Sequence, residues 1–275
     1  MRRIAAGLIV IMSVLLVSCK GKTGNTITVG SDKLDNTQSY FSESMHKAAR
    51  CDSGYYYLDK CGASADNLMF YDDKSEESIV LCNKPQCGHD GEECMAYISG
   101  SEFKSELYYY NSYIYMISSK GNLVRISADG TQRTDLGSIC VLSGQDSVSM
   151  CFNDGYAYVS QEITGDIEGN VTVRLHRFNL DTGLSDKIYE ETGYGIGINS
   201  LKTYGSDTFF LKTSVSKDDK GLYSLEGKGI FRITGENTEC LLDKNVYSYC
   251  IDADNNKLYY SGLGDGTIYE YDLGS

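Results

Sequence analysis

The chain has no tryptophan, a single proline (Pro85) and only three histidines among its 275 residues. One proline leaves its tight turns to Gly, Asn and Asp, and 29 glycines are there to make them. Three histidines leave little room for histidine chemistry. His46 lies in a polar stretch, His89 among cysteines and His176 in a strand-like run, and no G-x-S-x-G turn supplies a nucleophile for any of them. The S-x-x-K matches at 44–47 and 101–104 read as solvated segments, and His176 as a satisfied strand-face residue rather than a base. Basic residues are also few: 25 Lys and Arg against 38 Asp and Glu give a net charge of −13, with no basic run. That balance excludes a nucleic-acid partner, because affinity for a phosphate backbone rests on clustered cations. Beyond residue 17 there is no long apolar run and no 3.6-residue apolar stripe, which argues against helices.

What is present begins with a targeting signal. Met1-Arg2-Arg3 precedes an uncharged apolar run over residues 4–17, too short for a spanning helix of about 20 residues but of the right length for a signal-peptide core. Leu16-Val17-Ser18-Cys19 follows at once and resembles the bacterial lipobox. The resemblance implies cleavage of residues 1–18 and lipidation of Cys19, placing the protein on the extracytoplasmic face of the cell membrane. Residues 19–50 then read as the lipidated cysteine and a polar tether rich in Gly, Ser, Thr and Asn.

From residue 51 the chain repeats itself. Tyrosine-rich strand signals marked by Tyr55, Tyr108, Tyr156, Phe209 and Leu258 recur at a step of about 50 residues. Partner strands follow at 67–72, 122–127, 173–180, 229–234 and 267–272, three of them running into Asp/Asn/Gly turns of the kind hairpins use. Units of this length with three or four antiparallel strands predict an all-β β-propeller of about 4–5 four-stranded blades, at about 51–105, 106–152, 153–203, 204–245 and, incompletely, 246–275. A ring of such units avoids an open edge only by closing on itself. The sequence therefore predicts either that residues 20–50 supply a missing strand to a five-bladed ring, or that the chain is the front of a six- to eight-bladed protein, and the end at 275 in mid-hairpin favours the second.

Asn256-Lys-Leu-Tyr-Tyr-Ser261 followed by Gly266-Thr-Ile-Tyr-Glu-Tyr-Asp272 resembles the YWTD-type propeller repeat of low-density-lipoprotein-receptor-related proteins. Residues 81–97 are similar to a Cys-rich segment of uncharacterised clostridial lipoproteins that carry such a propeller. Trp and the full tetrapeptide are missing, so the receptors' ligand-binding roles do not carry over.

Ten cysteines complete the inventory. Setting Cys19 aside leaves an odd number, so complete internal pairing is excluded. Spacing pairs Cys51 with Cys61, Cys140 with Cys151 and Cys240 with Cys250, each as a disulfide or as free thiols. Cys82, Cys87, His89 and Cys94 form C-x4-C-x-H-x4-C, which can surround a structural zinc with four protein ligands or, alternatively, be a disulfide-clipped loop turned by Pro85. Asp252, Asp254 and Asn256 have the opening spacing of a calcium loop, but Lys257 and Leu263 stand where Gly and Glu are needed, so an Asx turn is the better reading. The tyrosines suit blade packing better than a sugar platform. These features predict a lipid-anchored propeller that binds or scaffolds a cell-envelope glycan, peptide or protein. The alternatives are a glycan-active hydrolase or lyase, and a metal or redox sensor built on Cys82–Cys94.

Overall fold

The computed structural model describes residues 48–274 except 101–102, 104–105, 144–145, 166–168, 236, 253, 263 and 265. Every element among them is a β-strand, and none is a helix long and apolar enough to cross a membrane. The strands form five antiparallel sheets in chain order. The first contains β1 (Ala48–Cys51), β2 (Gly54–Lys60), β3 (Ala65–Asp72), β4 (Glu77–Val80) and β5 (Tyr97–Ser99). The second contains β6 (Tyr108–Tyr110), β7 (Tyr113–Ile117), β8 (Asn122–Ser127) and β9 (Arg133–Ser138). The third runs through β10 (Ser147–Asn153), β11 (Tyr156–Thr164), β12 (Asn170–Asn179) and β13 (Ser185–Tyr194). The fourth comprises β14 (Gly197–Tyr204), β15 (Asp207–Lys217), β16 (Tyr223–Thr234) and β17 (Asn237–Leu242), and the fifth β18 (Val246–Asp252), β19 (Lys257–Gly262) and β20 (Ile268–Asp272).

Each sheet is a meander, and the first strands of successive sheets lie against one another: β1 with β6, β6 with β10, β10 with β14, β14 with β18. Meanders arranged with their first strands inward are propeller blades. The fold is a β-propeller.

The inner hairpins show why the sequence turns where it does. Tyr110 pairs with Tyr113 and Asn153 with Tyr156, leaving two-residue turns at Asn111-Ser112 and Asp154-Gly155. All four turn residues have positive φ, the type I′ geometry that matches strand twist and selects Asn, Asp and Gly.

The core is divided among the seams between blades. One buried cluster fills each: Leu68, Ile98, Ile114 and Met116 between the first two sheets; Tyr115, Phe152 and Phe178 in the next; Cys151, Leu175, Ile198 and Phe210 in the third; Phe209, Ile230, Val246 and Tyr260 in the last. Because successive side chains in a strand point to opposite faces, Phe209 and Phe210 enter different seams, as do Tyr115 and Met116. A strand buried on both faces reads as a continuous apolar run, which is how Tyr113–Ile117 reads.

Blade boundaries differ from the tyrosine spacing. Tyr55, Tyr156, Phe209 and Leu258 lie on the second strands of their sheets while Tyr108 lies on a first strand, so residues 147–152 and 197–203 open the third and fourth blades rather than closing the second and third. The first strands β10 and β14 carry fewer tyrosines, which hid them. β1 is the innermost strand of the first blade and pairs with β2, so residues 48–50 do not complete the last blade. The signal sequence, Cys19, His46 and tether residues 20–47 lie outside the described residues.

Candidate metal centre

The first blade departs from the others at its outer edge. β3 pairs with β4 through Met69–Asp72 and with β5 through Ala65–Asn67, so two short strands share the place of one. The changeover is at fully buried Leu68. Its carbonyl accepts the amide of Leu81 at 2.9 Å, and its own amide donates to Ala96 at 2.8 Å. The chain leaves the sheet at Leu81, returns at Ala96, and residues 82–95 form an insert between the two halves.

Within the insert the turns are local. The Cys82 amide donates to Val80 at 2.8 Å, that of Cys87 to Lys84 at 3.4 Å, and that of Cys94 to Gly91 at 2.9 Å. Gln86 and His89 take left-handed φ values of 60° and 57°, which folds the peptide back on itself twice. The Lys84 ammonium donates to the Glu93 carbonyl and ties the two arms. The result brings the Cys82, Cys87 and Cys94 sulfurs and a His89 ring nitrogen within 4.8 Å of one another, with His89 Nδ1 3.3 Å from Cys94 Sγ. Cys94 is buried and the other three are half-buried.

The four groups do not behave alike. Burial works to raise the Cys82 thiol, but hydrogen bonds from the Lys84 and Met95 amides and from neighbouring thiols outweigh it and hold its pKa below the ordinary value. Burial pushes Cys94 the other way, to about 11, despite the Ala96 amide. The donor set of three sulfurs and one imidazole nitrogen is that of closed structural zinc sites. A tetrahedral ion with Zn–S near 2.3 Å sets its ligand atoms about 3.8 Å apart, and this cluster is within that reach.

None of the other cysteines among the described residues is in a disulfide, and the three spacing-based pairs do not meet. Cys51 sits at the turn end of the β1–β2 hairpin and Cys61 just past the far end of β2, roughly 20 Å away at about 3.3 Å per residue. Cys151 faces the third seam while Cys140 packs in the second, with a sheet between them. Cys240 is on the outermost strand of the fourth blade and Cys250 on the innermost strand of the fifth. A disulfide requires Cα atoms about 4.4–6.8 Å apart.

His176 is buried on β12, its Nε2 3.2 Å from Gln161 Oε1, and Gln161 in turn donates to Asp146 and to the Val141 carbonyl, both at 2.8 Å. Burial, aided by Arg174 and Lys187 and opposed by Glu190, lowers its pKa to about 4, so it is a neutral structural residue at pH 7. Asp252 accepts the Asn255 amide at 3.2 Å and its side-chain amide at 2.7 Å, an Asx turn before β19. Ser101 and Lys104 lie outside the described residues. Half-buried Glu162 is held above its ordinary pKa by burial, acting against the Ile198 amide and the Ser147 hydroxyl; no second carboxylate among the described residues contributes to that shift.

The tyrosines join blades. Tyr56 donates to the Ala128 carbonyl at 3.2 Å, Tyr249 to that of Ser200 at 2.5 Å, and the Tyr108 and Tyr110 hydroxyls accept the amides of Met150 and Gly155 at 3.1 and 3.2 Å. Each bond crosses a seam.

One surface feature escaped the sequence reading. Tyr194, ending β13, stacks on Tyr223, starting β16, at 6.4 Å between ring centroids, and exposed Leu222 and Leu225 flank Tyr223. Its signal was present, since Leu222-Tyr223-Ser-Leu225 breaks a polar turn with apolar residues that no core requires.

No family model matches the chain. No curated protein sequence matches it either. Among solved structures it is similar to an oligogalacturonate lyase in complex with manganese, at 9% identity and a TM-score of 0.42 over 83% of this chain and 76% of that one. It is also similar to the computationally designed Ika8 protein, at 13% identity and 0.46 over 84% and 58%. A third is quinohemoprotein alcohol dehydrogenase from Comamonas testosteroni, at 11% identity and 0.43 over 87% and 45%. With identities of 9–13% and TM-scores below 0.5, these likenesses carry no argument about what this chain binds.

Proposed function

We propose that this propeller is a binding or scaffold module for a cell-envelope glycan, peptide or protein, tethered to the outer face of the cell membrane by a lipid on Cys19, as in the bacterial lipoproteins that its residues 16–19 and its Cys-rich segment 81–97 resemble. The strongly acidic composition argues against a nucleic-acid partner.

The observation that carries the binding reading is the ledge of Tyr194, Leu222, Tyr223 and Leu225. These residues lie at the end of the blades where β13 finishes and the β15–β16 hairpin turns, and all four are 40–66% exposed. Apolar side chains gathered at a hairpin tip are not needed for folding, and contiguous exposed apolar surface marks interaction sites. Tyrosine suits such a role because its ring offers area and its hydroxyl a hydrogen bond, at the entropic cost of only two torsions.

The test uses the full chain produced in a bacterium. Metabolic labelling with a fatty acid should mark the wild type and leave Cys19→Ala unlabelled and released from membranes. Envelope glycans, peptides and proteins captured by the wild type should be lost from a Tyr194→Ser/Tyr223→Ser variant of equal thermal stability. Saturable capture that the double variant retains in full would remove the ledge from the site, and unlabelled wild type would remove the anchor.

A further inference from the structure

The insert of the first blade raises a physical problem that the rest of the chain does not. Residues 82–95 have no strand of their own and carry Gly88 and Gly91, yet they must leave and rejoin a sheet at one residue, Leu68. A 14-residue excursion of this composition has little apolar surface with which to offset its conformational entropy. The insert is nonetheless built into a seam. Leu81, Cys94 and Ala96 are buried with Ile114, Met116 and Ile126 of the second blade. The Asn83 amide donates to the Gly130 carbonyl at 3.3 Å, and a Cβ at Gly130 would stand 2.7 Å from the Leu81 carbonyl oxygen, so the β8–β9 turn seats directly on the insert. On the far side of the insert, Arg133 donates to the Tyr97 carbonyl at 2.9 Å.

We infer that Cys82, Cys87, His89 and Cys94 bind one Zn²⁺ in a closed tetrahedral site, and that this ion is the clip that seals the first blade to the second. The geometry points to zinc on four counts. The donors are sulfur and imidazole, which favour Zn²⁺ over the oxygen-seeking Mg²⁺ and Ca²⁺. Their atoms lie within 4.8 Å of one another. The Lys84, Met95 and Ala96 amides already donate to the Cys82 and Cys94 sulfurs, the outer-shell pattern that orients thiolate ligands. Four protein donors fill a tetrahedron, so no position remains for substrate and the ion is structural. Binding releases thiol protons and closes the loop, so the ion supplies the ordering that the insert's own side chains do not. This inference is independent of what the ledge at the other blades binds.

The test is made on the full chain in detergent, reduced and handled without oxygen. Elemental analysis after loading with zinc and desalting should find one zinc per chain in the wild type and none in Cys82→Ser/Cys94→Ser. Cobalt(II) loading should give the intense visible bands and sulfur-to-cobalt charge-transfer absorption of a tetrahedral thiolate site, with the visible bands shifted to the red and the charge-transfer absorption strengthened in a His89→Cys control that offers four thiolates. Hydrogen exchange should show chelation speeding the amides of residues 81–97 and 127–133 while those of the third to fifth blades keep their protection. That last measurement needs no variant, so a misfolded double serine mutant cannot obscure the outcome. Reduced wild type that retains no zinc, six-coordinate cobalt spectra, a disulfide among the three thiols in freshly isolated protein, or exchange that chelation does not change would each overturn the inference.

Discussion

Phe152 is the side chain whose removal tests the seam-by-seam core most directly. It is fully buried in the second seam, where three tyrosine rings of the neighbouring blade surround it: Tyr115 at 4.5 Å, Tyr110 stacked at 5.2 Å and Tyr108 at 6.3 Å. Truncating a buried Phe to Ala costs about 3–5 kcal/mol, and three aromatic contacts within a rigid seam place this site near the top of that range. Against a total stability of about 5–15 kcal/mol, Phe152→Ala removes a third or more of what holds the domain. The assay is urea unfolding followed by tyrosine fluorescence and far-ultraviolet circular dichroism. Phe152→Leu serves as the milder variant, with a cost of about 1 kcal/mol. The Phe152→Leu/Tyr110→Leu pair should show a coupling of about 0.5–1.5 kcal/mol. A Phe152→Ala cost below about 1.5 kcal/mol, or no coupling, would refute the packing of the second and third blades described above.

Other outcomes follow from the same contacts. Tyr56→Phe removes one cross-seam hydrogen bond to Ala128 and should cost about 1 kcal/mol in the same assay, whereas Tyr247→Phe, at an exposed ring, should cost less than about 0.5 kcal/mol. Gly121→Ala should destabilise by about 1–3 kcal/mol or more, because φ is +86° there and a Cβ would sit 2.0 Å from the Cys140 carbonyl oxygen; equal stability to wild type would contradict that turn. His176 binds its proton more weakly when folded, at about 4, than at the ordinary 6.5, so the unfolded chain takes up the proton first. Stability is full above pH 6.5 and falls as the pH drops towards 4, by at most about 3 kcal/mol. His176→Gln should flatten that part of a pH series of melting temperatures, and an unchanged slope would show that His176 is not buried and neutral.

Much of the fold was legible in the chain because propeller blades are local. Each pairs strands adjacent in sequence, so the Asp/Asn/Gly turns at 128–130, 181–183 and 235–237 and the recurring tyrosine strands announced both the unit and its repeat. The first strands were less legible. β10 and β14 are packed between neighbouring blades and carry mixed residues such as Ser149, Asn199 and Thr203, whose partners are Ser160, Thr213 and the Phe152 carbonyl. No short-range pattern marks such strands as the start of a blade rather than the end of one.

The candidate site divides the same way. Spacing alone singled out Cys82, Cys87, His89 and Cys94, and because no strand runs between Val80 and Tyr97 to hold them apart, the structure brings their ligand atoms within 4.8 Å. Spacing failed for Cys51 with Cys61, Cys140 with Cys151 and Cys240 with Cys250, where a strand's length or a whole sheet intervenes. The sequence by itself determined the all-β repeat, its turns and the composition of the zinc-like cluster, since these depend on residues within one hairpin of each other. Only the tertiary structure decided which face of each strand enters which seam, that the Cys-rich insert splits an outer strand and seats on the next blade, and that Tyr194 meets Tyr223. Those relations join residues from different blades, and no local periodicity encodes them.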